Sequence, residues 1–471
     1  MMILVEVLIQ YGSYHVDKSY TYVSDDHTIQ TGMRVLVPFN GRDIVGIVLN
    51  VIESDLSFED YQAKQDFVVL SISKVLDDYV ILNEELLKLG EVMQRQTISP
   101  LINCYSAMLP SKLKPKYNKI QIKMENIIQY NQKPHKFTTL QQEAIDYLNG
   151  EDEVLETDFR KKFSADLLSR LKGYGVINTI QREVRYTPED LETFKPLTLT
   201  DDQQAVYDEF LESSDQNYLL HGITGSGKTE IYLQLAEAMI REDKEVLLLV
   251  PEISLTPQMI KSVQRRFGDT VAIYHSHLND QEKYEQYQRV NEKKVKIVVG
   301  TRSSIFMPFT NIGLIILDEE HDKSYKQSSS PRYHARDIAL WRAEHHGAKV
   351  LLASATPALE SYARAIKGHY HLLELPHKIG KNQIIPYKII DTQKTLYHGG
   401  SNIITRPLYE AIVERLEKKQ QVVILLNRRG YAPIFTCANC FEVKMCKNCD
   451  ISMSYHRSDH QLVCHMCGVI E

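Results

Sequence analysis

The sequence predicts a multidomain α/β protein: a lobe built on a parallel sheet, a β-rich unit ahead of it and a cysteine-rich segment behind it. Three observations predict this. From Leu197 onward, short apolar strands alternate with helices, the rhythm of a parallel sheet covered on both faces. The run Gly222-Ile223-Thr224-Gly225-Ser226-Gly227-Lys228-Thr229 lies between such a strand and a helix. Six of the seven cysteines fall between Cys437 and Cys467.

The 471 residues suggest about three domains at roughly 150 residues each. Hydrophobic residues at 43% and charged residues at 25% are ordinary for a globular chain. A net charge of −6 excludes a general polycation, so any nucleic-acid surface must be a local cluster of Lys and Arg. The longest apolar runs, 246–250 and 314–317, are too short to span a bilayer. The first ten residues carry no basic n-region or small-residue cleavage site, so no signal peptide is expected. The expected address is cytoplasmic, with no membrane partner.

Residues 1–110 read as the β-rich unit. Val5, Val7 and Ile9 alternate with polar residues, and 34–38 and 44–48 are two further strands around the Asn40-Gly41 signature of a tight hairpin. Residues 81–96 read as a helix. Within 111–195, residues 112–133 are rich in Lys, Asn and Gln and read as a connector. Helical periodicity follows at 139–148 and 167–172, and then a turn and a strand from 173 to 186. Short helices before a β-wing suggest a winged helix, against a small helical linker without DNA contact. Residues 196–395 form the parallel-sheet lobe, with strands at 218–220, 246–250, 271–274, 296–299, 314–317 and 350–352. Residues 396–436 begin a second such lobe, with a strand at 422–426, and residues 437–471 are the cysteine-rich insert.

The glycine-rich run fits the phosphate-loop pattern G-x-x-x-x-G-K-[ST] in its strand–loop–helix context. Gly222, Thr224, Gly225, Ser226 and Gly227 let backbone N–H groups face phosphates, aided by the helix N-terminus. Lys228 would reach the β- and γ-phosphates of ATP, and Thr229 would bind Mg²⁺. The alternative is a chance glycine-rich turn. Asp318-Glu319-Glu320-His321 follows the apolar strand 314–317, where open α/β sheets place their ligands. Asp318 would hold Mg²⁺, Glu319 would orient the attacking water and His321 would couple the ATP site to DNA; a bare acidic run is otherwise a solvated face. Gln203 ahead of the loop could read adenine through its amide. Arg302 and the hydroxyls of 301–304 suit single-strand phosphates, and Ser354-Ala355-Thr356 resembles a motif linking hydrolysis to strand movement. The interleaved Tyr325, Lys326, Arg332, Tyr333 and Arg336 suit stacking on bases and neutralising phosphates, against a surface loop of incidental Tyr and Arg.

Cys446-x₂-Cys449 and Cys464-x₂-Cys467 supply four thiolates for a tetrahedral Zn²⁺ site, with disulfide pairing as the alternative. Cys437 and Cys440 need two more ligands, so they form a half-built second site or one filled by residues not present. Cys104 stands alone as a buried apolar side chain.

The motifs D-E-E-H-x-x-x-Y-K-Q from Asp318 and P-R-Y-x-A-R-D from Pro331, the run 426–432 (L-N-R-R-G-Y-A) and the cysteine array together resemble the bacterial PriA family of replication-restart DNA helicases, in domain order over the whole chain. The resemblance implies a RecA-like helicase lobe of superfamily 2, with ATP, Mg²⁺ and two Zn²⁺ sites in the full-length family. It implies ATP-dependent 3′→5′ unwinding, recognition of stalled or abandoned forks and primosome assembly at the bacterial nucleoid. Implied partners are forked and single-stranded DNA, single-strand-binding protein, the replicative-helicase loader and other primosome proteins. The resemblance also implies that the loop from Tyr325 to Arg336 couples DNA binding to ATP hydrolysis, and that a 3′-end pocket lies near Tyr20, Thr21 and Asn40-Gly41; the family usually has an acidic residue at the position of Thr21.

Two other readings compete. One is a duplex translocase that does not unwind, against which the cysteine array and the aromatic-rich loop argue. The other is a fork-binding scaffold. After residue 400 the chain holds 71 residues and no Q-x-x-G-R-x-G-R segment, so the second lobe is expected to be mostly missing, and fork binding is expected with feeble ATP hydrolysis.

Overall fold

The computed structural model describes residues 2–116, 124–131, 135–150, 154–183, 196–380, 387–391, 404–425, 442–456 and 460–471, together with residues 435, 437 and 440. It divides into two compact units, 1–382 and 383–471. No helix among the described residues is long and apolar enough to cross a membrane.

The first unit opens with β1 (Met2–Ile9), β2 (Ser19–Ser24), β3 (Arg34–Phe39) and β4 (Arg42–Ser54). The helix α1 (Phe58–Gln62) and the short strands β5 (Leu70–Ser71) and β6 (Lys74–Val75) complete a sheet of order β5-β2-β1-β4-β3-β6. Phe39 pairs with Arg42, and Asn40 and Gly41 take φ of 49° and 74°, the two left-handed residues that a two-residue hairpin requires. Two helices follow, α2 (Glu84–Thr97), capped by Asn83, and α3 (Leu101–Met108). Their apolar faces enter a continuous core with the helicase-like lobe: Leu86, Leu89, Met93 and Tyr105 are buried in the same cluster as Tyr287, Phe306 and Ile338.

A small module comprises β7 (Met124–Tyr130), α4 (Thr139–Asn149), β8 (Val154–Leu155), α5 (Glu156–Lys162), α6 (Ala165–Gly173) and β9 (Ile177–Glu183). Its sheet runs β8-β7-β9. The stretch read as a connector therefore contains the central strand, β7. Its Lys, Asn and Gln content masks Ile127 and Ile128, which are buried. Helix α5 was not expected either; Phe159 anchors it, wholly buried. Residues 184–186 of the expected strand lie outside the described residues.

The lobe comprises α7 (Asp201–Glu212), β10 (Asn217–Gly222), α8 (Lys228–Arg241), β11 (Glu245–Leu249), α9 (Pro257–Phe267), β12 (Val271–Tyr274), α10 (Asp280–Asn291), β13 (Ile297–Gly300), β14 (Ile312–Asp318), α11 (Ala335–His346), β15 (Lys349–Ser354), α12 (Leu359–Ile366) and β16 (His371–Leu375). The seven strands form one sheet of order β12-β13-β11-β14-β15-β10-β16, with every pairing parallel. All six strands read from the sequence are present, each within two residues of its expected ends. Their near-continuous burial is what a sheet covered on both faces demands.

The second unit holds α13 (Arg406–Glu417), β17 (Ser454–His456) and β18 (Gln461–Val463). The expected strand at 422–426 is not found: residues 422–425 are unpaired, with Val423 94% and Leu425 92% exposed, and residue 426 lies outside the described residues. A buried parallel strand needs hydrogen-bonded neighbours, and among the described residues of this unit the paired strands are β17 and β18.

Candidate functional site

The phosphate loop leaves β10 at Gly222 and enters α8 at Lys228. Gly225 and Gly227 take φ of 84° and 80°, the left-handed region that a Cβ disfavours. Space matters as well: a Cβ on Gly227 would stand 2.3 Å from Gln203 Nε2, and one on Gly222 would stand 2.7 Å from Ser226 Oγ. Lys228 Nζ is buried and donates to Gly222 O at 2.7 Å. Ser226 Oγ is buried with no hydrogen-bond partner among the described residues, and Thr224 and Thr229 are exposed at the loop rim. An unsatisfied buried hydroxyl in a glycine-rich loop at a helix N-terminus fits an incoming phosphate.

Gln203 lies beside this loop, but its amide is already engaged. Its Oε1 accepts from Thr200 N at 2.9 Å, closing the cap of α7, and its Nε2 donates to Ser226 O at 2.9 Å. In this arrangement the amide expected to read adenine staples α7 to the loop. A cavity of about 230 Å³ lined by Thr200, Gln203, His377 and Ile379 opens next to it.

The carboxylates stand at the C-terminal end of β14. Asp318 Oδ2 accepts from Tyr232 OH at 3.1 Å, and that phenol is 3.2 Å from Thr229 Oγ1. Tyr232 thus bridges the two residues expected to hold Mg²⁺, and the oxygen donors are of the kind that ion takes. The sequence reading missed it. The signal was a hydroxyl three residues past Thr229 on the buried face of α8. Burial, followed by the Glu319 charge, raises the Asp318 pKa above its ordinary value. A cation beside it would relieve that penalty. Glu319 adopts φ 45°, and such strain in a non-glycine residue clusters at working sites. His321 Nδ1 is 2.8 Å from Ser354 Oγ and 3.6 Å from Glu319 Oε2, so it joins the Glu319 carboxylate to the Ser354-Ala355-Thr356 segment. Glu320 is buried rather than solvated: it accepts from Ala358 N at 2.6 Å and from Ser361 Oγ at 2.8 Å.

The aromatic-rich loop folds back on this site. Tyr325 is fully buried, its hydroxyl donating to Asp318 O at 2.6 Å with Leu249 O 3.0 Å away. Tyr333, 4% exposed, packs edge-on to Phe306. The expectation that these two rings offer open faces to bases is corrected here: both are core residues, because the loop closes as a hairpin through Gln327 N and Tyr333 O. Arg336 is similarly internal, donating to Ser361 Oγ at 2.9 Å and lying 3.7 Å from Glu320. Arg302 clamps the loop by donating to Ser324 O and Lys326 O. Lys326, bridged to His334 at the base of the hairpin, and Arg332 remain exposed, so the expected phosphate contacts reduce to those two and the half-buried Arg302. Tyr20, edge-on to Phe39 with centroids 5.2 Å apart, lines with Thr21 and Asn40 a separate cavity of about 540 Å³ on the β-rich unit.

In the second unit, the sulfurs of Cys446, Cys449, Cys464 and Cys467 lie within 4.8 Å of one another. Neighbouring sulfurs are 3.6–3.8 Å apart, too far for disulfides and close to the roughly 3.8 Å edge of a tetrahedron with Zn–S bonds near 2.3 Å. The N–H groups of Cys467 and Met466 help to hold the Cys464 thiol down to about 6. Cys437 and Cys440 are exposed and stand outside this group.

Family models match three stretches: DEAD/DEAH box helicase over residues 200–365, the PriA 3′ DNA-binding domain over 6–110, and the PriA DNA helicase Cys-rich region over 446–469. Proteins called replication restart protein PriA are similar along the chain. The one from Bacillus subtilis is 37% identical over 98% of this chain and 67% of its own length, and that from Haemophilus influenzae is 36% identical over 95% and 62%. A Synechocystis relative is 44% identical over 54% of this chain and 32% of its own. The chain thus spans about two thirds or less of these relatives.

Proposed function

The chain belongs to the PriA family of replication restart proteins, and from that membership we propose that it is an ATP-dependent 3′→5′ DNA helicase that recognises stalled or abandoned forks and initiates restart by primosome assembly. One observation supports this most: Asp318 is gripped from two sides, by Tyr232 of the nucleotide-loop helix through its carboxylate and by Tyr325 of the aromatic-rich loop through its carbonyl. A strand pressing on that loop shifts a residue of the hydrolytic site directly.

In this reading Gly222, Thr224, Gly225, Ser226 and Gly227 cradle the ATP phosphates through backbone N–H groups. Lys228 releases Gly222 O and turns to the β- and γ-phosphates. Thr229 and Asp318 hold Mg²⁺, which when bound draws the phosphate oxygens together and offsets their charge. Glu319 orients the attacking water, and His321 carries the change to Ser354. Lys326, Arg332 and Arg302 meet the strand, and the cavity at Tyr20 receives the 3′ end. The module formed by β7–β9 and α4–α6 acts as a winged helix on duplex DNA. Zn²⁺ at Cys446, Cys449, Cys464 and Cys467 folds the cysteine-rich insert, and Cys437 and Cys440 supply two of the four ligands that a second site needs. Single-strand-binding protein and the replicative-helicase loader are the partners, in the cytoplasm at the nucleoid.

Forked duplexes with a recessed 3′ end test the proposal. Binding, DNA-stimulated ATP hydrolysis and displacement are expected from the protein; hydrolysis with no displacement would favour a non-unwinding translocase. A second reading is a fork-binding scaffold with feeble hydrolysis, and its signature is fork binding without turnover.

A further inference from the structure

A cavity of about 360 Å³ lies where the segment leaving the β-rich unit crosses the strand ends of the lobe. Ser111 and Lys114 wall it from the segment, and Glu252, Tyr274, Lys283 and Arg302 from the lobe. The segment is fixed in place. Leu113 is fully buried in the shared core, and Arg34, itself buried and paired with Asp77 at 2.5 Å, donates to Lys112 O at 3.1 Å.

The charge around this cavity is unbalanced. Lys114 makes no ion pair or hydrogen bond through its ammonium among the described residues, and burial, followed by the positive charge of Lys116, lowers its pKa, with Asp280 opposing and Lys283 adding to the shift. Lys283 donates to Ser276 O at 3.1 Å, a neutral acceptor. Arg302 donates to two carbonyls and keeps a buried Nε without a partner. Three cations therefore share one cavity, against Glu252 in its wall and Asp280 near Lys114. Like charges facing a partly desolvated space repel unless an anion joins them.

We propose that this cavity binds the phosphodiester backbone of single-stranded DNA, with Ser111 and Lys114 closing over a strand laid on the lobe. The inference rests on the DNA-binding reading above and adds residues that lie outside the lobe's strand-end motifs. Hydroxyls of Ser111 and Tyr274 can donate to phosphate oxygens. The β-rich unit then contributes to holding the translocating strand as well as to capturing a 3′ end.

The test is fluorescence anisotropy of a 5′-labelled oligothymidylate with a 3′-phosphate block, titrated with the full chain over a salt series, beside the variant Lys114→Ala/Lys283→Ala. Each lost phosphate contact lowers the salt slope for single strands by about 0.7, so the pair should lower it by about 1.4, with affinity near 0.15 M salt down roughly tenfold. Lys114→Arg/Lys283→Arg should keep the original slope, which a merely structural loss would not allow. An unchanged slope in the alanine variant overturns the proposal. So does inorganic phosphate that displaces the oligonucleotide at equal site concentration, which indicates a small-anion site. If the unsubstituted chain binds no oligonucleotide at all, the DNA-binding reading fails with it.

Discussion

Replacing Glu85 by Ala tests how the β-rich unit is held to the lobe. Glu85 of α2 receives two bonds from Arg342 of α11, at 2.5 and 2.8 Å, and His346 Nε2 lies 3.0 Å away. Arg342 is wholly buried and also donates to Ile305 O and Met307 O. Burial alone would raise the Glu85 pKa, but Arg342 and His346 more than offset it and hold the group down to about 2, from 4.5. A depression of that size corresponds to roughly 3 kcal/mol, and removing one partner of a buried ion pair costs about 3–5 kcal/mol because the other charge is stranded. Urea unfolding followed by tyrosine fluorescence should therefore show Glu85→Ala destabilised by about 3–5 kcal/mol. A loss under about 1 kcal/mol would refute the reasoning, since Arg342 would then have found water. The pH sign follows from the lowered folded-state value: the contribution is complete above about pH 4.5 and is lost as pH falls toward 2. Glu85→Gln should lack that acid-side decline. Glu85→Leu/Arg342→Met should cost less than the sum of the single changes, with a coupling energy above about 1 kcal/mol.

Lys228→Ala should abolish binding of a fluorescent ATP analogue while leaving fork binding intact, checked by the two titrations in parallel. Tyr232→Phe keeps the ring but removes the bridge between Thr229 and Asp318; the Mg²⁺ concentration giving half-maximal nucleotide binding should rise about tenfold, while binding in chelator stays unchanged. Tyr325→Phe leaves Asp318 O without its phenol donor, so DNA stimulation of hydrolysis should fall more than basal turnover, as measured with and without oligonucleotide. Cys446→Ser should lose the tightly held zinc by metal analysis, and Cys437→Ser/Cys440→Ser should retain one equivalent.

The features legible in the sequence are those whose geometry is local. Gly225 and Gly227 need positive φ, Asn40-Gly41 makes its own hairpin, and two C-x-x-C pairs converge into one four-sulfur cluster. The features that escaped depend on what the chain meets far away. Strand β7 sits in a stretch rich in Lys, Asn and Gln, and Ile128 counts as core only once α4 and α5 cover it. Interleaved Tyr and Arg in 325–336 read as a stacking surface, yet the hairpin buries Tyr325 and Tyr333 and turns Arg336 toward Glu320. Glu320 itself looks like part of an acidic run, and only the arrival of α12 gives it acceptor duties.

The shared core beneath α2 and α3 has a geometric consequence. Leu86, Met93 and Tyr105 are packed with Tyr287 and Phe306 in one cluster, so the β-rich unit cannot swing as an arm on a tether. The distance from the Tyr20 cavity to the Asp318 carboxylate is then a fixed length, and under the proposed function the two ends would work as the jaws of a caliper. A fork whose 3′ terminus and single strand are separated by a different span can satisfy one jaw but not both. Such a protein would select forks by the gap between two features, with no need to read base sequence.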